Sequence, residues 1–234
     1  MARPPLFSNV ITFDHYIDLI YNTSFMHNVW NSFVIAAITA IICLAIGILG
    51  SYAMTRLKYP GRSFFRNSII ISYLMPTAVL FVPMYVFVSS LGFYDNKYAL
   101  LIIYPTFVVP YCCYMLISYF KAIPYALEEA ALIDGCNRLQ TLWYIIMPIA
   151  LPGIAVVATF AFTMAWNEYL YAMIMTTSNV QKTATVAISG FKYADSAIWG
   201  RIMSASVVCS LPVTLLYIVA QSMLISGKYE GSVK

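Results

Sequence analysis

Charge is what this chain has least of. Only 9% of its 234 residues are Asp, Glu, Lys or Arg, whereas 62% are hydrophobic. A soluble domain carries about 25% charged residues. With mean hydropathy at +0.79, a soluble cytosolic enzyme is excluded. An aromatic fraction of 16% excludes disorder as well. The chain reads as an integral membrane protein.

Reactive side chains are scarce too. The two histidines, His15 and His27, lie near the N-terminus, which leaves no His/carboxylate metal cluster for the membrane. Cys43, Cys112, Cys113, Cys136 and Cys209 lack CxxC spacing and sit in or beside apolar segments, as small apolar residues do. No segment combines paired carboxylates, a Ser/His/Asp set or a Cys/His pair, which argues against an enzyme. There is no G-x4-G-K-[ST] phosphate loop, so ATP hydrolysis is not expected on this chain. No metal or cofactor of its own is expected either.

What the sequence does have is long apolar runs. A spanning helix needs about 20 such residues. Five segments qualify: 32–54, 68–91, 98–120, 149–173 and 203–225. They are too long and too continuous for barrel strands. Net charge is +4, but the cations sit in short connections and read as topology signals, not a nucleic-acid surface. Of the 13 cations, Arg56, Lys58, Arg62, Arg66, Lys121, Arg138, Lys228 and Lys234 fall on one side, and Arg3, Lys97, Lys182, Lys192 and Arg201 on the other. The richer side belongs in the cytoplasm. Residues 1–27 are then extracytoplasmic, with no signal peptide to export them. Either the first span drags a short tail across, or a further N-terminal helix is absent from this chain. Pro76, Pro83, Pro105, Pro110, Pro152 and Pro212 fall inside the runs, where each frees a carbonyl and is expected to kink its helix.

The stretch 121–153 is the most informative. Pro124 suits a first helical turn, and Glu128 and Glu129 follow at the positive end of the helix dipole. Ala130 and Ala131 withdraw side-chain bulk, so that another surface can approach. Gly135 fits a left-handed turn and Asn137 caps a second helix through Leu142, Ile145 and Ile146. Asp134 and Arg138 are spaced to pair across the turn. On composition alone this is either a docking element or an interfacial helix on the headgroups.

The order Glu129-Ala130-Ala131, three residues, Gly135, nine residues, Ile145, one residue, Met147-Pro148 resembles the EAA signature of permease subunits of bacterial ABC importers, with Met147 for the usual Leu. Further marks resemble the carbohydrate branch, the family of the maltose permease's smaller subunit. They include Asn31-Ser32, Ser51 to Arg56, Gly61-Arg62, Leu91-Gly92, Ile133-Asp134-Gly135, Trp166-Asn167-Glu168 and the Gly231 to Lys234 ending.

The resemblance implies an all-α membrane protein of the type I ABC importer class, with about five transmembrane helices here where the family has six. That favours the absent-helix alternative. It implies an extracytoplasmic segment 1–27, a permease domain 28–227 with a cytoplasmic coupling loop 121–148, and a cytoplasmic tail 228–234. Glu128, Glu129, Ala130, Ala131, Asp134, Gly135, Met147 and Pro148 are the expected ATPase-coupling residues. The implied partners are a homologous second permease, two copies of an ATPase that binds ATP and Mg, an extracytoplasmic solute-binding protein and membrane lipid. No nucleic acid is implied, and the location is the bacterial plasma (inner) membrane.

Trp166, Asn167 and Glu168 are candidates for the translocation pathway. A carboxylate at membrane depth faces protein or water; alternatively the helix has ended and Glu168 sits at the interface, anchored by Trp166 and Tyr169. Asn167 bonds either a sugar hydroxyl or a neighbouring helix. A polyol or glycerol phosphate ester is an alternative cargo. A secondary transporter would show inverted repeats and several intramembrane charges, and neither is present. A scaffold without transport would leave the EAA spacing unexplained.

Overall fold

Residues 12–191 and 199–230 are described by the computed structural model, with side chains through residue 222 in the last helix. Arg3, Lys192 and residues 231–234 lie outside the described residues. All regular structure among those described is helical. A short helix α1 (Asp14–Tyr21) precedes α2 (Phe25–Arg56), whose 32 residues extend about 48 Å, more than enough to cross hydrocarbon.

The second apolar run does not form one straight helix. α3 (Arg62–Leu74) stops at Met75 and Pro76, both extended, and a 3-10 turn leads into α4 (Phe81–Ser90) at 91° to it. The residue before a proline is pushed out of the α region, and that breaks the run here. The Tyr171 hydroxyl donates to the Thr77 carbonyl at 2.9 Å and holds the bend. Pro83, by contrast, sits in the first turn of α4, where its missing N–H costs nothing, and does not act as a kink.

The third run is also bent. α5 (Leu100–Ile103) meets α6 (Pro105–Ala122) at 43°, and Pro105 opens α6. The coupling loop follows, with α7 (Ala126–Ile133) and α8 (Arg138–Thr141). α8 widens into a π-helical stretch, Leu142–Ile146, before α9 (Met147–Trp166). Pro148 and Pro152 withdraw two N–H groups near this junction, and a π-stretch is one way of redistributing the carbonyls they leave.

The fourth span ends at Trp166, not at Met173, because the chain turns at Asn167 and restarts as α10 (Leu170–Met175). α11 (Ala184–Gly190) and α12 (Trp199–Glu230) complete the chain. Among the described residues three helices are long and apolar enough to cross a membrane, and up to five if each bent pair counts as one span.

α2, α6 and α9 form the centre, with α12 against α9 and α3 against α6. Gly47 lets α2 approach α6, since a Cβ there would lie 2.9 Å from the Cys112 Cβ. Gly153 does the same between α9 and the Tyr119 ring. Without a hydrophobic drive between helices in lipid, such close packing carries much of the association. Cys43, Cys112 and Cys113 are free thiols buried at this centre.

Polar bonds mark the two ends of the bundle. At one end Asn31 donates to the Val180 and Lys182 carbonyls and accepts from the Lys97 ammonium, and Arg201 pairs with Asp18. At the other end Arg56 of α2 pairs with Glu128 of the coupling loop, and the Tyr52 hydroxyl of α2 donates to the Arg138 carbonyl.

Candidate functional site

The coupling loop is built by local rules. α7 starts at Ala126, two residues after Pro124, and carries Glu128 and Glu129 in its first turn. It ends in a Schellman turn: the Gly135 N–H donates to the Leu132 carbonyl at 3.2 Å and the Cys136 N–H to the Ala131 carbonyl at 3.0 Å. Gly135 has φ +88°, the left-handed conformation its sequence position predicts. Asn137 then caps α8 through a reciprocal box with Gln140, at 2.8 and 2.9 Å.

Tertiary anchoring sorts the two glutamates. Glu128 is fully buried, and its Oε1 lies 2.7 Å from the Nε of Arg56, whose side chain is 7% exposed. The approach is oblique, so the contact is an ion pair, not an aligned hydrogen bond. The same guanidinium donates to the carbonyls of Phe120 at 2.5 Å and Ile123 at 2.7 Å, and faces the Tyr125 ring at 5.7 Å. Arg56 therefore ties the last turn of α2 to the end of α6 and to α7. Burial pushes the Glu128 carboxyl above its ordinary range, against the opposite pull of Arg56 and Arg138.

The outward face is different. Glu129, Ala130, Asp134 and Gly135 are exposed, and Ile133 stands 86% exposed with Leu127 on the same side. Ala130 is the notch between those two. Ala131, expected to join it, faces inward and is buried, so only one of the two alanines clears space for a second surface. Asp134 and Arg138 do not pair. Arg138 turns instead to the hydroxyls of Tyr125 and Tyr52, which hold its protonated form more firmly. Met147 packs on the core and Pro148 is exposed at the start of α9.

The outer candidates are placed around the break after α9. Trp166 is buried and stacks on Phe162 at 5.6 Å, while Asn167 is exposed. Phe33 meets Phe162 edge-on at 5.9 Å and stacks in turn on Trp30, giving an aromatic ladder between α2 and α9. Sequence reasoning missed Trp30 and Phe33, although their i, i+3 spacing was visible. Glu168 is half-buried and fully engaged. Its carboxylate accepts from the N–H groups of Tyr171 at 2.9 Å and Ala172 at 3.1 Å and from the Tyr104 hydroxyl at 3.0 Å. Its carbonyl accepts from Thr185 at 2.8 Å. Glu168 thus caps α10 and ties it to α6 and α11.

The arrangement has no chemistry-bearing cluster: among the described residues no three His, Cys, Asp or Glu side chains converge. It has a bundle of apolar helices and a loop clamped to it on one face and bare on the other.

Known proteins of this construction are transport components. The chain is 37% identical over 99% of its length to the inner membrane ABC transporter permease protein YcjP of Escherichia coli, covering 84% of that protein. It is 30% identical over 98% of its length to the trehalose/maltose transport system permease protein MalG of Thermococcus litoralis, again covering 84%. The fold matches a bacterial ABC transporter involved in import of the acidic polysaccharide alginate, with TM-score 0.77 and 22% identity over 95% of this chain and 83% of that one. Residues 44–226 match a family described as binding-protein-dependent transport system inner membrane component, and to that family of permease subunits the chain belongs.

Proposed function

We propose that this chain is one permease half of an ATP-driven carbohydrate importer in the bacterial plasma membrane, crossing it several times. A second, homologous permease completes the pathway. Two ATPase copies bind ATP and Mg and seat the two coupling loops, and an extracytoplasmic binding protein delivers the sugar. No cofactor belongs to this chain. The trehalose/maltose and alginate transporters it is similar to support carbohydrate as the cargo class.

The observation that carries the reading is the two-sided coupling loop, with Glu128 buried against Arg56 and Ile133 bare. A loop clamped on one face transmits displacement to the α2, α6 and α9 bundle instead of absorbing it. Glu129, Ala130, Asp134 and Gly135 form the face offered to the ATPase, while Met147 and Pro148 anchor the entry to α9. Nucleotide can bias the bundle only if this contact differs between states. In the pathway, Trp30 and Phe33, the exposed half of the ladder backed by buried Phe162 and Trp166, offer aromatic faces of the kind sugar rings stack on, and Asn167 is free to meet a hydroxyl. Glu168 acts as the pin that holds this region.

The test is assembly and uptake. The tagged chain, expressed with its native neighbours and purified in mild detergent, is expected to bring an ATPase and a second permease. Reconstituted with the binding protein, the complex is expected to take up a labelled sugar only with ATP inside reach of the ATPase. A solitary chain, or uptake indifferent to ATP, overturns the reading.

A further inference from the structure

A cavity of about 440 Å³ opens at the cytoplasmic end of α2, beside the coupling loop. Arg56, Leu57, Lys58, Tyr59, Tyr125 and Arg138 line it. No carboxylate is among them. Arg56 is paired from behind with Glu128, so the cavity faces two cations without a salt-bridge partner, Lys58 and Arg138. Neither has an ion-pair partner among the described residues; the ion pairs there join Arg56 to Glu128 and Arg201 to Asp18.

The position of the cavity narrows the ligand. Lys58 lies two residues after a long spanning helix ends, at the level where hydrocarbon gives way to headgroups. The next helix, α3, begins with Arg62 and Arg66 flanking two exposed aromatic rings, Phe64 and Phe65. That mixture suits an interface with lipid. The face with bare Ile133 lies on α7, none of whose residues lines the cavity. Basic pockets between spanning helices on the cytoplasmic side hold anionic headgroups.

We propose that this cavity holds the phosphate group of an anionic phospholipid of the cytoplasmic leaflet, with Lys58 and Arg138 supplying the charge and Leu57 and the two tyrosines the walls. A lipid so placed bridges the end of α2 and the start of α8 within the coupling loop. The site is separate from the sugar pathway, and its test does not depend on cargo.

The purified importer complex is mixed with phosphatidylglycerol or phosphatidylcholine, and retained lipid is counted by native mass spectrometry. Wild type is expected to keep phosphatidylglycerol and not phosphatidylcholine. Lys58→Gln is expected to lower retention about 5-fold, and Lys58→Gln with Arg138→Gln about 25-fold, at roughly one such factor per cation. Lys58→Arg is expected to restore it, which separates charge loss from misfolding. Equal retention in wild type and the double variant overturns the proposal. So does retention of inorganic phosphate without phosphatidylglycerol, which would make the site one for a free anion. If Lys58→Gln releases the ATPase while lipid retention is unchanged, the cations serve a protein carboxylate, and the lipid assignment is wrong.

Discussion

Arg56 and Glu128 meet at 2.7 Å, both withdrawn from solvent, but they do not depend on each other equally. Arg56 keeps two carbonyl acceptors, Phe120 and Ile123, and the Tyr125 ring whether or not Glu128 is charged. Glu128 has no aligned hydrogen-bond partner on either oxygen among the described residues. Removing Arg56 strands a buried carboxylate. Removing the Glu128 charge leaves a guanidinium that is still solvated by carbonyls.

Arg56→Met is therefore expected to cost about 3–5 kcal/mol, the range for an uncompensated buried charge. Glu128→Gln should cost clearly less, and Arg56→Met with Glu128→Leu should recover most of the loss. Thermal unfolding of the purified complex measures all three. The pH dependence has a definite sign. A carboxyl raised above its ordinary 4.5 takes up a proton more readily in the folded state, so its contribution is full below 4.5 and fades as pH rises through the folded value. In Arg56→Met the carboxyl rises further, and stability should improve as pH is lowered from neutral toward 5. A flat profile would falsify the stranded-carboxylate account.

Gly135 tests the turn and the docking face separately. At φ +88° a branched side chain is strained by about 1–2 kcal/mol, yet a Cβ would meet nothing within 4 Å inside the protein. Gly135→Leu should insert and assemble in the membrane but lose most sugar uptake and the sugar-stimulated ATPase. Gly135→Asn, which tolerates the left-handed region, should retain more of both. Equal activity in the two variants would mean that neither backbone nor bulk matters at this corner.

The loop was legible in the sequence because its signals are local. Gly135 and Asn137 are where chain chemistry alone puts a left-handed stop and a cap, and both appear. The prolines were less so, because their effect depends on register. Pro83 falls in a first turn and bends nothing by itself, Pro105 stands at the 43° bend where α6 begins, and Pro76 breaks its run through the residue before it. Arg56 was read as a topology charge and as the end of the Ser51 to Arg56 family mark, not as the partner of Glu128. Nothing local announces that a cation 72 positions before Glu128 will be buried against it, since that contact follows from how α2 and α7 pack. The inward turn of Ala131 has the same origin.

Asp95 closes the end of the bundle opposite the coupling loop. Its carboxylate accepts from the N–H groups of Thr177 at 2.8 Å and Ser178 at 2.9 Å, while its own backbone sits at φ 49°. Those N–H groups, Ser178 first, hold the carboxyl below its ordinary 3.8, so the interaction is complete at neutral pH and fades only as pH falls through the lowered value. Asp95→Gly relieves the backbone but removes the acceptor; Asp95→Asn keeps both the conformation and an oxygen. Hydrogen exchange at 176–178 should accelerate strongly in the glycine variant and modestly in the asparagine one. The reverse order would assign the role to backbone conformation.

Glu168 separates a pathway residue from a pin. Its carboxylate already receives two N–H groups and the Tyr104 hydroxyl, and a Gln side chain offers one acceptor oxygen where Glu offers two. Hydrogen bonds to a charged group are worth about 1.5–3 kcal/mol each. Glu168→Gln should then lower the unfolding temperature of the complex while leaving the KM for sugar close to wild type, because the group is occupied holding α10 to α6. Asn167→Ala, at an exposed neighbour with no such bonds to lose, should leave stability unchanged and is the variant in which a changed KM would reveal contact with the cargo. If Glu168→Gln raised KM several-fold with no loss of stability, the carboxylate would have to leave its three donors during transport and meet the sugar directly, and the pin would be wrong.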